Sequence, residues 1–286
     1  MDLNSPSAIR NIAAKHGFVF KKGLGQNFLT SGEALEHIAD AAEIESGALE
    51  IGPGFGVLTS ELAKRAEKVV AVEIDERLIP VLAETLMEYD NVKVINADVM
   101  KTDLAELIKN EFGGKSVSIA ANLPYYITTP IITMLLESRI PVKNIVVMVQ
   151  KEVAERISAE PGTKDYGALS VLCRYFTRPE LICVVPAELF VPKPKVDSAV
   201  LRLRVLDKPS VSVSDEKLFF RTVKAAFSQR RKTLLNCLSA NFPYGRTALS
   251  DALDSAGIDP RRRGETLSPE EFAALSERLR ELPDGR

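Results

Sequence analysis

The chain has 286 residues, of which 45% are apolar and 27% charged, with 16 glycines and 16 prolines. Against a usual size of roughly 150 residues per domain, this predicts two domains, or one with an appendage, and excludes disordered, collagenous and low-complexity chains. The formal net charge of −2 shows no global basic excess, so affinity for an anionic polymer has to come from local patches. No apolar run reaches the roughly 18 residues of a membrane span, and the opening MDLNSPSAIRNIAAKHG lacks the apolar stretch of a signal peptide, which predicts a cytoplasmic protein. Cys173, Cys183 and Cys237 are never spaced as a metal-binding pair, and His16 and His37 are the only histidines. No metal site is expected, and most hydrolases built on a Ser-His-Asp triad are excluded.

From residue 48 to 149, short apolar runs alternate with amphipathic stretches, the pattern of parallel strands joined by crossover helices. Strands are predicted at 48–51, 69–72, 92–96, 117–120 and 145–149, with helices at 57–66, 80–87 and 130–138. Two further strands, 181–185 and 199–205, end the sheet as a hairpin. Lys208, Pro209 and Ser210 break the pattern, and helices are predicted beyond them at 215–229, 231–240, 247–256 and 269–282. The expected fold is α/β, a sheet of about seven strands followed by a smaller all-helical domain, with the boundary near residue 207.

The segment ALEIGPGFGVLTSELAKRAEKVVAVEID places Gly52, Gly54 and Gly56 after a strand and before a helix, with Glu73 at the end of the next strand. Glycines permit a tight turn and close backbone approach, and a carboxylate at that distance can accept hydrogen bonds from ribose hydroxyls. The spacing is GxGxG rather than the GxGxxG of dinucleotide enzymes, and with Pro53 inside it resembles motif I of S-adenosylmethionine methyltransferases. Asp98 follows the third strand on the same sheet edge, where it could accept from an adenine amino group or simply cap the following turn.

After the fourth predicted strand comes Asn122-Leu123-Pro124-Tyr125, with Tyr126 next. This resembles the loop of methyltransferases that act on exocyclic amino groups of bases. An adenine N6 lone pair is delocalised into the ring, so a site must favour the pyramidal amine. The Asn122 side-chain carbonyl and the Leu123 backbone carbonyl are suitable acceptors, Pro124 restricts the turn, and Tyr125 offers a stacking face for an extruded base. The alternative is a strand-to-helix turn with a core tyrosine.

Further motifs extend the likeness. KKGLGQNFLTS at 21–31, FVPKPKVDSAVLRL at 190–203, FSQRRKTLLN at 227–236 and RRGETLSPEEFAAL at 262–275 resemble the ribosomal RNA adenine N6,N6-dimethyltransferases, the KsgA-type family. The resemblance runs from about residue 5 to 280; Leu24, where many members carry an aromatic residue, departs from it. It implies a Rossmann-like S-adenosylmethionine methyltransferase domain over 31–207, preceded by an arm (1–30) that completes the cofactor site and followed by an RNA-positioning domain (208–286). It also implies transfer of four methyl groups to two adjacent adenosines near the 3′ end of small-subunit rRNA, free or within a 30S assembly intermediate, by a protein expected to be monomeric. By matching position, Asn27, Leu29, Gly52, Gly54, Gly56, Glu73, Asp98 and Asn122 would contact the cofactor. Leu123, Pro124 and Tyr125 would hold the base, with Phe190 as a second aromatic face.

RTVKAAFSQRRK at 221–232 carries five positive charges and no negative one. Arg221, Lys224, Arg230, Arg231 and Lys232, with Lys21, Lys22, Lys193 and Lys195, are the candidate RNA contacts, the alternative being solvated helix faces. Two rival functions are an antibiotic-resistance methyltransferase of large-subunit rRNA and a noncatalytic assembly factor of the same fold. QRRKTLLN and RRGETLSPEEF favour the small-subunit enzyme over the first; intact Gly52, Gly54, Glu73 and Asn122 argue against the second.

Overall fold

The computed structural model describes residues 5–19 and 27–283. In chain order the elements are α1 (Pro6–Lys15), β1 (Phe28–Leu29), α2 (Gly32–Ala41), β2 (Gly47–Ile51), α3 (Val57–Ala63), β3 (Lys68–Glu73), α4 (Ile79–Thr85) and β4 (Val92–Asn96). There follow α5 (Leu104–Phe112), β5 (Val117–Asn122), α6 (Thr128–Glu137), β6 (Val142–Gln150), α7 (Lys151–Ser158), α8 (Ala168–Phe176), β7 (Thr177–Val185), β8 (Phe190–Val191) and β9 (Ser198–Val205). The chain ends with α9 (Glu216–Ala226), α10 (Leu234–Asn241), α11 (Arg246–Ser255) and α12 (Pro269–Arg280).

The seven predicted strands form one sheet in the order β4-β3-β2-β5-β6-β9-β7. Strands β4, β3, β2, β5 and β6 are parallel to their neighbours, whereas β9 runs antiparallel to β6. The inner strands GALEI and VSIAAN are buried almost throughout, as parallel strands covered on both faces must be. Because strand order reverses beside β2, the C-terminal ends of β2, β3 and β5 lie next to one another at the switch point where open α/β sheets bind ligands. A second, two-stranded sheet pairs β1 with β8, Leu29 opposite Phe190.

The chain divides into two compact units, Met1–Ala154 with Pro179–Val205, and Glu155–Arg178 with Leu206–Arg286. This differs from the continuous domain expected over 31–207, because residues 155–178 group with the C-terminal helices. The reason is the aromatic face of α8: Tyr175 packs against Phe219 and Phe220 of α9 at centroid distances of 5.0 and 5.1 Å, and Phe176 stacks on Phe220 at 5.9 Å. Elsewhere in this unit Gly264 lies so close to α9 that an added Cβ would be 2.7 Å from the Ala226 carbonyl. Arg262 is bound by Glu271, which also closes a capping box with Ser268 at the start of α12.

Three helices outside the predicted set start at side-chain caps. Ser5, Ser31 and Asp103 accept hydrogen bonds from Ala8, Ala34 and Glu106 at the starts of α1, α2 and α5. Among the described residues no helix is long and apolar enough to cross a membrane.

Candidate active site

The loops leaving β2, β3 and β5 line one cleft of about 1220 Å³, its open mouth included. The glycine loop crosses from β2 to α3. Gly52 donates its N–H to the Val72 carbonyl and Gly56 to the Pro53 carbonyl, both at 2.9 Å. Gly54 holds φ at +60°, and a Cβ there would fall 2.8 Å from the Phe28 ring, so both conformation and space require glycine. Phe28 lies edge-on to Phe55 of the loop at 4.5 Å, and Phe18 lies 5.4 Å from Phe55. Aromatic packing thus fixes the N-terminal segment against the loop.

Glu73 ends β3 and is 5% exposed. Its two oxygens accept N–H groups from Gly54 at 3.2 Å and Asp75 at 2.8 Å. Burial raises its pKa above the ordinary carboxyl value, and the neighbouring Asp75 adds to the rise. One side chain therefore holds the glycine loop and lines the cleft. Asp98 also lines the cleft, and it caps the next turn by accepting the Met100 N–H at 3.0 Å.

Asn122 closes β5. Its Nδ2 donates to the Asn27 carbonyl at 3.3 Å, which orients the amide and leaves Oδ1 as its acceptor end. The next residues form a turn into α6: Leu123 is buried and donates its N–H to Met148, while the Pro124 carbonyl accepts from Ile127 N–H at 3.1 Å and Thr128 Oγ1 at 3.3 Å. Tyr125 shares a 2.9 Å hydrogen bond with Ser198, and burial raises the pKa of its phenol. Asn27, Leu29, Gly52, Gly54, Glu73, Asp98 and the four residues of the turn are thereby brought to one cleft.

Two predicted residues lie elsewhere. Gly56 is outside the cleft lining and packs against α4 instead, where a Cβ would crowd the Leu86 and Thr85 side chains at 3.0 to 3.1 Å. Phe190 is 3% exposed, paired with Leu29 in the small sheet, and offers no free face to the cleft. Of the candidate RNA contacts, Lys21 and Lys22 lie outside the described residues. Lys193 pairs with Glu188 at 2.6 Å, and Lys195 is exposed. Arg221 lies over the Phe242 ring at 4.5 Å and donates to the Asn241 carbonyl, so its guanidinium is engaged in packing. Arg230 donates to the Lys164 carbonyl and sits 3.7 Å from Glu265. Lys224, Arg231 and Lys232 are exposed and make no ion pair among the described residues, with Arg231 and Lys232 in the turn between α9 and α10 rather than in the helix predicted from 231.

Other residues of the cleft carry chemistry that the motifs did not single out. Glu50, in the apolar strand ALEI, is 1% exposed at the cleft, its Oε2 has no hydrogen-bond partner, and burial pushes its pKa up to about 8, with Glu73 adding to the rise. A carboxyl inside an apolar run was the available signal. Asp75 is tied to Arg77. Ile74 and Tyr126 line the cleft while 65% and 62% exposed, leaving apolar surface for a ligand. Among the described residues no cluster of His, Cys, Asp and Glu is placed to hold a metal ion.

The model of the ribosomal RNA adenine dimethylase family matches residues 17–281. Proteins named ribosomal RNA small subunit methyltransferase A from Bacillus mycoides (strain KBAB4) and Bacillus cereus (strain B4264) are each 55% identical over 284 residues, 97% of this chain and 97% of theirs. A crystal structure of a dimethyladenosine transferase from Plasmodium falciparum superposes with a TM-score of 0.73 at 28% identity, covering 87% of this chain and 95% of that one. The 23S rRNA methyltransferase ErmE gives 0.68 at 31% identity, covering 89% and 100%.

Proposed function

Because the chain belongs to the ribosomal RNA adenine dimethylase family, we propose that it places two methyl groups on N6 of each of two adjacent adenosines near the 3′ end of small-subunit rRNA, using S-adenosylmethionine. The observation that carries this reading is the convergence of the glycine loop, Glu73 and the Asn122–Tyr125 turn on one cleft, with the Asn122 amide already oriented by the arm. The choice of RNA is supported by the relatives named for the small subunit, which are far more similar than the large-subunit enzyme.

The cleft fits the cofactor. A Cβ at Gly52 would meet nothing within 4 Å, which leaves open space beside the loop, and Glu50 Oε2 is a buried polar atom at the cleft without a hydrogen-bond partner. Gly52 and Gly54 would allow close backbone approach, Glu73 would accept from ribose hydroxyls, Asp98 would accept from an adenine amino group, and Ile74 would supply apolar contact. When bound, S-adenosylmethionine supplies an electrophilic methyl group.

The chain's own residues do the rest. Asn122 Oδ1 and the Leu123 carbonyl accept hydrogens of the target amine, which favours its pyramidal form and localises the lone pair. Tyr125 stacks on the extruded base, and Tyr126 adds exposed aromatic surface beside it. The amine proton is lost after transfer, so no side chain titrating near neutrality is required for attack. In the second unit, Lys224, Arg231 and Lys232 contact RNA phosphates, and in the first unit Lys195 does so.

Asn122→Ala tests this reading. Turnover should fall on the order of 10²-fold while RNA affinity stays near native, because the acceptor acts as the amine pyramidalises. Near-native turnover would remove Asn122 from the chemistry.

A further inference from the structure

Ser198 is the first residue of β9, 1% exposed, and sits opposite Gln150 at the C-terminal end of β6. Its hydroxyl meets the Tyr125 hydroxyl at 2.9 Å. Asp197, the residue before it, makes two further ties. Its backbone carbonyl accepts the Lys151 N–H at 3.0 Å, and its Oδ1 accepts the Ala187 N–H at 3.0 Å. Ala187 opens the short turn that delivers Phe190 into β8, the strand paired with the arm at Leu29. Two adjacent residues at one strand end thus hold the Tyr125 side chain, the turn before Phe190 and the start of α7.

The ties to Tyr125 and to the rest of its turn differ in kind. The bonds of the Pro124 carbonyl to Ile127 and Thr128 fix the backbone of the turn, but they leave the rotamer of the Tyr125 ring undecided. The bond to Ser198 holds the ring at its far end, from a sheet position that cannot follow it. Burial around the phenol, with Asp197 near it, keeps that hydroxyl protonated and able to share the bond.

We propose that Ser198, supported by Asp197, is a positioning residue for methyl transfer, its hydroxyl holding the Tyr125 ring in the orientation that receives the target adenine. This rests on the reading of Tyr125 as the base-facing aromatic. A preorganised ring spares the base the cost of ordering it, and the gain is expressed when amine and methyl group are aligned rather than when RNA first docks.

The test compares Ser198→Ala, Tyr125→Phe, the double variant and Tyr125→Ala in steady-state methylation of undermethylated small subunits, with calorimetry for cofactor binding. Loss of one neutral hydrogen bond should lower kcat by about 2- to 12-fold in Ser198→Ala and equally in Tyr125→Phe. KM for subunits and the cofactor Kd should be unchanged, and the double variant should be no worse than either single one. A merely structural role would lower melting temperature and move all three constants together. Native kcat in Ser198→Ala, or losses that multiply in the double variant, would overturn the proposal. Should Ser198→Ala fail to fold, Tyr125→Phe removes the same bond from the half-buried side, and native kcat in it is equally decisive. Native activity in Tyr125→Ala would instead refute the base-facing reading itself.

Discussion

Replacing Glu73 by glutamine separates its two roles, because the change preserves shape and removes one acceptor and the charge. The amide oxygen can still take the Asp75 N–H, the shorter of the two bonds at 2.8 Å, but the amide nitrogen cannot accept the Gly54 N–H that now sits 3.2 Å from Oε2. An unpaired donor beside a side chain 5% exposed costs about 1–3 kcal/mol. Against this, glutamine removes the burial of a carboxylate whose pKa is raised by that burial, so the net loss falls near the lower end, about 1 kcal/mol. For a unit of this size that is a melting shift of roughly 2–4 °C. The ribose contact changes from a charged to a neutral acceptor, a difference of about 1–1.5 kcal/mol, or about 5- to 12-fold in cofactor Kd. Circular dichroism measures the first effect and titration calorimetry with S-adenosylmethionine the second. A folded variant with native Kd would refute the assignment of Glu73 to the cofactor.

Glu50 gives a pH signature: between its ordinary 4.5 and the raised value of about 8, the folded chain holds a proton that the unfolded chain releases. Stability should therefore fall as pH rises through that window, by up to about 1.4 kcal/mol per pH unit, and Glu50→Gln should flatten the profile in chemical denaturation; an unaltered profile contradicts the assignment. The triple variant Lys224→Gln, Arg231→Gln, Lys232→Gln should make the salt dependence of subunit binding shallower by a slope of about 2–3 while cofactor Kd stays native; an unchanged slope places the RNA surface elsewhere. Gly54→Ala adds left-handed strain to a 2.8 Å clash with the Phe28 ring and should cost about 2–5 kcal/mol, read as a melting shift; native stability would mean the loop relaxes freely.

The strands were legible because most are short apolar runs rich in β-branched residues, and runs such as KVVAV or NIVVMV admit no helical periodicity. The pairing of Phe28–Leu29 with Phe190–Val191 was not, since two residues carry no pattern and their partner lies about 160 positions away. For the same reason Phe190, a second aromatic face for the base by resemblance, is a buried strand residue here. The grouping of 155–178 with the C-terminal helices depends on which surface the aromatic face of α8 finds, a tertiary choice absent from local sequence. In the site, glycines and the Asn-Leu-Pro-Tyr turn are readable because backbone conformation restricts residue type. Glu50 is marked in the sequence only as a carboxyl inside ALEI, whose other residues are those of an ordinary core strand. Charge counting treated Arg221 and Lys224 alike, although packing on Phe242 engages the first and leaves the second exposed.

The central claim is that this cleft dimethylates adenosine in small-subunit rRNA. Its most direct test is transfer of tritiated methyl groups from S-adenosylmethionine to small subunits lacking the modification, followed by nuclease digestion and mapping of the label. The account predicts N6,N6-dimethyladenosine at two adjacent positions near the 3′ end, lost with Asn122→Ala. Label at other positions of the small-subunit RNA, label on another atom, or no transfer by a protein that binds the cofactor would contradict it.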